Sequence, residues 1–306
     1  MKLHHIIEAQ QFDVPTLLGL LETTQEMEKV VAGGGTTQFR GRIMATLFYE
    51  PSTRTRFSFE TAMHRLGGSV ISTENAAEFS SVAKGETLED TVRILNGYAE
   101  VIVLRHHEVG SARRAASVSR IPVINAGDGA GQHPTQALLD LYTIHKEIGA
   151  INGLRIAMVG DLAQGRTVRS LAYLLSKFQD VQMYFVAPSL LRMKEDILEY
   201  LREKQIAYRE ETDLNKVLPE VDVVYQTRIQ KERFGDRLAD YEQCRGVYVI
   251  NSESLRLMKA AAIVMHPLPR LDEIAKEVDS DPRAAYFRQA QNGLYVRMAL
   301  LSMVLS

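Results

Sequence analysis

The chain has one cysteine, Cys244. No intrachain disulfide can form, and a single thiol cannot build a cysteine-rich zinc site. No apolar run approaches the roughly 20 residues that a membrane-spanning helix requires; the longest, such as 260–265, stop far short. Charge of one sign is also missing. Lys plus Arg (36) against Asp plus Glu (38) leaves a net charge of −2, whereas a general nucleic-acid binder carries a strongly basic surface. Behind Met1-Lys2-Leu3-His4-His5 there is no apolar stretch of the secretory kind, so a cytoplasmic enzyme with no membrane or nucleic-acid partner is expected. There is no low-complexity segment and no internal repeat.

What the chain does have is ordinary globular material. Hydrophobic residues make up 45% and charged residues 24% of 306 positions, which suits two domains at roughly 150 residues each. Short apolar runs at 43–49, 101–104, 122–125, 155–159, 182–186, 221–226 and 262–265 read as parallel strands buried on both faces. Helical spacings lie between them. Phe59, Ala62, Met63 and Leu66 recur at i, i+3, i+4 and i+7 before Gly67-Gly68. Leu138, Leu141, Tyr142 and His145 repeat the pattern, as do Leu171, Leu174, Leu175 and Phe178. Strand–helix alternation over the whole length predicts an α/β fold: two domains, each a mostly parallel sheet flanked by helices. The break is expected around the glycine-rich stretch 127–131 and the helix after it. The last segment, 287–305, reads as one amphipathic helix that can return to the first domain.

The most informative stretch is Glu50-Pro51-Ser52-Thr53-Arg54-Thr55-Arg56. A strand ends, Pro51 breaks it, and a helix opens at Ser52 or Thr53. In open parallel sheets ligands bind at the carboxyl ends of the strands. A helix start there offers unpaired N–H groups and the positive end of its dipole. Three hydroxyls and two guanidinium forks complete a set suited to a phosphate dianion. A capping Ser/Thr followed by solvated arginines is the plainer alternative for a lone S-T-R. The stretch is not G-x-x-x-x-G-K-[ST], so a nucleotide P-loop is excluded. Arg105 ends the run 101–104 on the same expected rim, unless it merely pairs with a nearby carboxylate. In 127–136, Pro134 suits a first helical turn, with His133 and Gln136 about one turn apart at its start. An imidazole beside a helix N-terminus stays neutral and can polarise a carbonyl by donating a hydrogen bond. The polar stretch 78–87 reads as an exposed loop, where a lysine such as Lys84 is ordinarily solvated. The segment 158–165 lacks the G-x-G-x-x-G spacing of a dinucleotide site. Neither a cofactor nor a metal is expected.

With S-T-R-T-R at 52–56, S-x-x-x-K-G-E-T at 80–87, H-P-T-Q at 133–136 and His266-Pro267-Leu268-Pro269-Arg270 in order, the chain resembles the transcarbamoylases, and among them the aspartate-using branch in its plant and related bacterial forms. The resemblance runs from Ala45 to Leu305. It implies transfer of a carbamoyl group from carbamoyl phosphate to L-aspartate, a step of pyrimidine synthesis. It implies a carbamoyl-phosphate domain (1–132 and 288–306) and an aspartate domain (133–287), joined by two interdomain helices. It also implies a homotrimer in which Ser80 and Lys84 reach the neighbour's site, reversing the plain reading of Lys84. Ser52, Thr53, Arg54, Thr55 and Arg105 match phosphate or carbamoyl contacts, and His133 and Gln136 match groups at the carbamoyl oxygen and nitrogen. Arg166, Arg228 and Gln230 match the aspartate side, and Leu268 and Pro269 match backbone carbonyls at the carbamoyl amino group. Arg54, Thr55, Arg105 and His133 are the catalytic candidates. The plant-like character raises UMP as a feedback ligand, and the plastid stroma, after removal of a transit peptide, as a second location.

The ornithine branch shares the anion loop, so the second half must discriminate. Aspartate's two carboxylates call for paired cationic forks, which Arg166 and Arg228 supply after strand-like runs. Ornithine enzymes carry a cysteine next to the late histidine, where this chain has Pro267. A non-catalytic relative would be expected to lack a charged site residue, and none of the matched positions departs from the pattern.

Overall fold

The apolar runs become strands, and their neighbours are set by burial. The computed structural model describes residues 3–74, 76, 85–231 and 234–306. The chain divides into two units, Met1–Tyr142 with Gln291–Ser306, and Thr143–Ala290. In the first, β1 (Ile43–Phe48), β2 (Ser69–Glu74), β3 (Val101–His106) and β4 (Val123–Asp128) form a sheet in the order β2-β1-β3-β4. Every pairing is parallel. Ala45, Leu47, Ile102, Leu104 and Val123 bury one face against Leu88, Val92 and Ala115. Phe59, Ala62, Met63 and Leu66, the periodic set of the helix Thr53–Arg65, are fully buried.

The second unit repeats the plan. Strands β5 (Arg155–Val159), β6 (Gln182–Val186), β7 (Ala207–Glu211), β8 (Val223–Gln226) and β9 (Ile263–Met265) align as β7-β6-β5-β8-β9, again all parallel. Its core joins Ala157, Val159, Val224 and Val264 with Leu214, Val217, Leu218 and Tyr248. At the carboxyl end of β5, Gly160 adopts φ +112°. A side-chain carbon there would lie 2.5 Å from the Thr227 carbonyl oxygen, so only glycine lets the β5 and β8 exits pass this closely.

Two strands were not expected from apolar runs. β2 and β7 lie at sheet edges and are largely exposed, so their sequences, SVISTE and AYREE, need no continuous apolar stretch. The helices Pro134–Ile148 and Tyr286–Leu305 each carry the chain from one unit into the other. No helix of the described residues is long and apolar enough to cross a membrane.

Candidate functional site

In the first unit three adjoining strands, β1, β3 and β4, deliver chemistry to one rim. The helix Thr53–Arg65 opens directly after β1, and its N-cap, Ser52, makes no side-chain capping bond. The hydroxyl and the first-turn amides are therefore not consumed by each other. Thr55 is buried at 7% exposure. Arg54 is exposed, yet desolvation lowers its pKa. Both hold at once when water reaches the guanidinium tip while packed protein around it weakens solvation of the charge. Such a cation gains more from an arriving anion than a fully solvated one does.

Arg105 pairs in register with Phe48 of β1, and the Tyr49 amide donates to its carbonyl at 2.8 Å. Its guanidinium meets Glu50 of the anion loop at 3.4 Å and donates to the Ala126 carbonyl at 3.2 Å. The carboxylate pairing weighed from sequence thus exists, and it ties Arg105 to the loop whose donors stand at 52–55. From β4 the turn at 129–133 leads into the helix Pro134–Ile148. The His133 carbonyl accepts the Gln136 amide at 3.0 Å, and its ring, 4% exposed, lies 3.4 Å from the Thr135 hydroxyl. Gln136 donates through Nε2 to the buried Asp140 at 2.9 Å.

A support that sequence reading missed lies beneath these groups. Arg297, on the last helix, is buried; Nη1 donates to Ser58 at 2.7 Å, and Ser58 donates to the Arg54 carbonyl at 2.7 Å. Desolvation lowers its pKa to about 10, with the Asp140 carboxylate opposing the shift. The same carboxylate holds Gln136, so one buried charge pair backs both helix starts. The i, i+4 spacing of Gln136 and Asp140 was a visible signal; nothing in sequence ties Arg297 to them.

In the second unit β5, β8 and β9 lie side by side. After β5, the Asp161 carboxylate accepts the Gln164 amide at 2.9 Å, turning the chain into the helix Arg166–Leu175, so Arg166 stands at its first position. Beyond β8, Thr227 donates from both its amide and its hydroxyl to the Val159 carbonyl, each at 2.8 Å. This fixes where Arg228 and Gln230 leave the sheet. β9 leads into 266–270. Both arginines and the late motif therefore share one rim. From that motif His266 pairs with Glu273, three residues beyond its end, in a buried contact of 2.8 Å. Burial alone would raise the Glu273 pKa, but hydrogen bonds from His266 and the loop amides outweigh it and hold the carboxyl below its ordinary value. Neither residue was assigned a role from sequence. Ser80 and Lys84 lie outside the described residues.

Comparison with known proteins adds relatives to this geometry. Residues 4–146 match the family described as aspartate/ornithine carbamoyltransferase, carbamoyl-P binding domain, and residues 152–304 match its Asp/Orn binding domain. The chain is 61% identical to aspartate carbamoyltransferase 1, chloroplastic, of Pisum sativum, over 99% of this chain and 79% of that protein. It is 52% identical to the aspartate carbamoyltransferase catalytic subunit of Methanocaldococcus jannaschii, over 97% and 96%. Among solved structures, aspartate transcarbamoylase from Trypanosoma cruzi in complex with carbamoyl aspartate and phosphate superposes with a TM-score of 0.94 at 44% identity, covering 100% of this chain and 97% of that one.

Proposed function

Because the chain belongs to the aspartate/ornithine carbamoyltransferase family, we infer that it transfers the carbamoyl group of carbamoyl phosphate to the amino group of L-aspartate, yielding N-carbamoyl-L-aspartate and phosphate. The observation that carries this reading is the convergence of Arg54, Arg105 and the His133–Gln136 helix start on the exits of three adjoining strands. Close relatives named for the aspartate reaction, and Pro267 in place of a cysteine, favour aspartate over ornithine.

The phosphate of the donor sits on Ser52, Thr53, Arg54, Thr55 and Arg105. The carbamoyl oxygen takes hydrogen bonds from Thr55, Arg105 and His133. The carbamoyl nitrogen is held by Gln136 and by the Leu268 and Pro269 carbonyls. Arg166, Arg228 and Gln230 hold the two carboxylates of aspartate. Its neutral amino group then attacks the carbonyl carbon. Negative charge grows on the carbonyl oxygen, where preorganised donors are worth most. The tetrahedral intermediate expels phosphate, which accepts the amine proton. Orientation and electrostatics supply the rate, with no covalent enzyme intermediate. Arg54→Ala tests this. Turnover should fall by at least roughly a hundredfold, the scale of losing a charge-stabilising donor, with the fold retained by circular dichroism. A near-normal rate removes the anion loop from the mechanism.

The resemblance supports four finer assignments. Carbamoyl phosphate belongs to 1–132 and 288–306 and aspartate to 133–287. The working assembly is a homotrimer in which Ser80 and Lys84 serve the neighbouring site. UMP is a feedback ligand, and the enzyme acts in the cytoplasm or, as the chloroplastic plant relatives suggest, in the plastid stroma. Native mass spectrometry with and without UMP should give a trimer that gains nucleotide. A monomer, or no adduct at saturating UMP, overturns the corresponding assignment.

A further inference from the structure

In the proposed reaction the loop 266–270 presents the Leu268 and Pro269 carbonyls to the carbamoyl amino group, and the role inferred for Glu273 rests on that reading. Carbonyls on a loop are aimed only as well as the loop is held. Leu268 has φ +56°, a left-handed conformation that a leucine keeps only where its surroundings enforce it. Its amide donates to His266 Nδ1 at 2.8 Å. An amide nitrogen can only donate, so Nδ1 carries no proton and the imidazole proton is on Nε2. Nε2 lies 2.8 Å from Glu273 Oε1, and Oε2 of the same carboxylate accepts the Leu271 amide at 3.1 Å. The His266 amide is itself held by Gln289 Oε1 at 2.8 Å. Glu273 thus grips the loop on both sides of Pro269. His266 and Glu273 are 2% and 7% exposed, so water does not substitute for either.

We propose that Glu273, acting through the tautomer it imposes on His266, is a positioning residue that aims the Leu268 carbonyl and so sets the enzyme's preference for a donor bearing an amino group. With no acceptor at Nε2, the ring is free to carry its proton on Nδ1. That proton would face the Leu268 amide, donor against donor, and push the peptide away. A glutamine at 273 has one amide oxygen for two N–H donors and turns its own NH₂ toward one of them.

The test compares carbamoyl phosphate with acetyl phosphate, which keeps the phosphate and replaces the amino group with a methyl. Kd values for both are measured calorimetrically in the cold for wild type, Glu273→Gln and His266→Gln, with folding checked by thermal melting. The His266→Gln amide reaches the Nε2 position and can donate to Glu273, but places no nitrogen or oxygen at the Nδ1 position where the Leu268 amide is accepted, so it decides the matter if Glu273→Gln does not fold. Wild type should prefer carbamoyl phosphate. In the variants acetyl phosphate should bind within about twofold of wild type, while carbamoyl phosphate weakens by about tenfold or more, collapsing the preference. An unchanged preference overturns the proposal, and so does equal weakening of both ligands, which marks Glu273 as a general structural residue. A wild type with no preference instead removes the reading of the Leu268 and Pro269 carbonyls.

Discussion

Buried and half-buried polar side chains decide how this chain responds to its surroundings. Arg297 shows the cost of a buried guanidinium: burial depresses its pKa to about 10, against the opposing Asp140 charge. It remains useful because it fixes Ser58 under the anion loop. His5 shows a second response. Its Nδ1 accepts the Val123 amide at 3.0 Å, a bond only a deprotonated nitrogen can make. Burial, helped by the neighbouring His4, lowers its pKa to about 4 from the usual 6.5. Between those values the unfolded chain binds a proton that the folded chain refuses. Stability is therefore complete above pH 6.5 and falls as pH drops toward 4. Because the ring is only partly buried, the loss should be about 1 kcal/mol, well under the full linkage value. Urea unfolding across this range should show the slope in wild type and a flatter one in His5→Asn. Identical slopes would remove His5 from the pH response.

At the level of elements, function depends on how strands leave their sheets. A buried parallel strand exits at the rim where the next helix must start, so a short loop after it acquires exposed amide donors almost by construction. The loops after β1 and β5 follow this rule, ending at Ser52 and at Arg166. The β5 exit adds a steric condition, since Gly160 at φ +112° faces the Thr227 carbonyl. Gly160→Ala should separate the β5 and β8 exits, disturbing Arg166 and Arg228 together. The expected result is a rise in KM for aspartate of about tenfold or more and a lower melting temperature, read by initial-rate kinetics and thermal denaturation. A normal KM would mean that these exits tolerate a side chain and that their close approach does not position the two arginines.

For the molecule as a whole, the order of the chain matters as much as its pattern. The first unit is closed by the last residues, Gln291–Ser306, which return after the second unit is complete. Arg297 arrives with them. Both rims present arginines, but only the first adds the hydroxyls of Ser52, Thr53 and Thr55 at a helix start without a side-chain cap, the set that suits a phosphate dianion, so inorganic phosphate should be read by the first unit alone. In hydrogen exchange, saturating phosphate should slow the amides of 52–56 and leave 161–167 unchanged. At a hundredfold excess over Kd it should also add about 2.7 kcal/mol to the stability of what it binds. Equal protection of both stretches would show that phosphate does not distinguish the units.

Several of these features were legible in the amino-acid order. Covered strands announce themselves because burial on both faces demands continuous apolar residues; β5 and β6 match their runs end for end. The donors at 52–56 stand adjacent in sequence because one helix start presents them. The edge strands β2 and β7 were silent because one exposed side lifts that demand. The amino-acid order by itself determined the α/β alternation, the anion loop and the motif that ends at Arg270, all of them local. Only the tertiary structure decided that Arg297 stands behind Ser58, that Glu50 meets Arg105, and that Glu273 meets Nε2 of His266. Each of those contacts joins residues that local periodicity leaves unrelated, and packing alone supplies the burial that makes their hydrogen bonds matter.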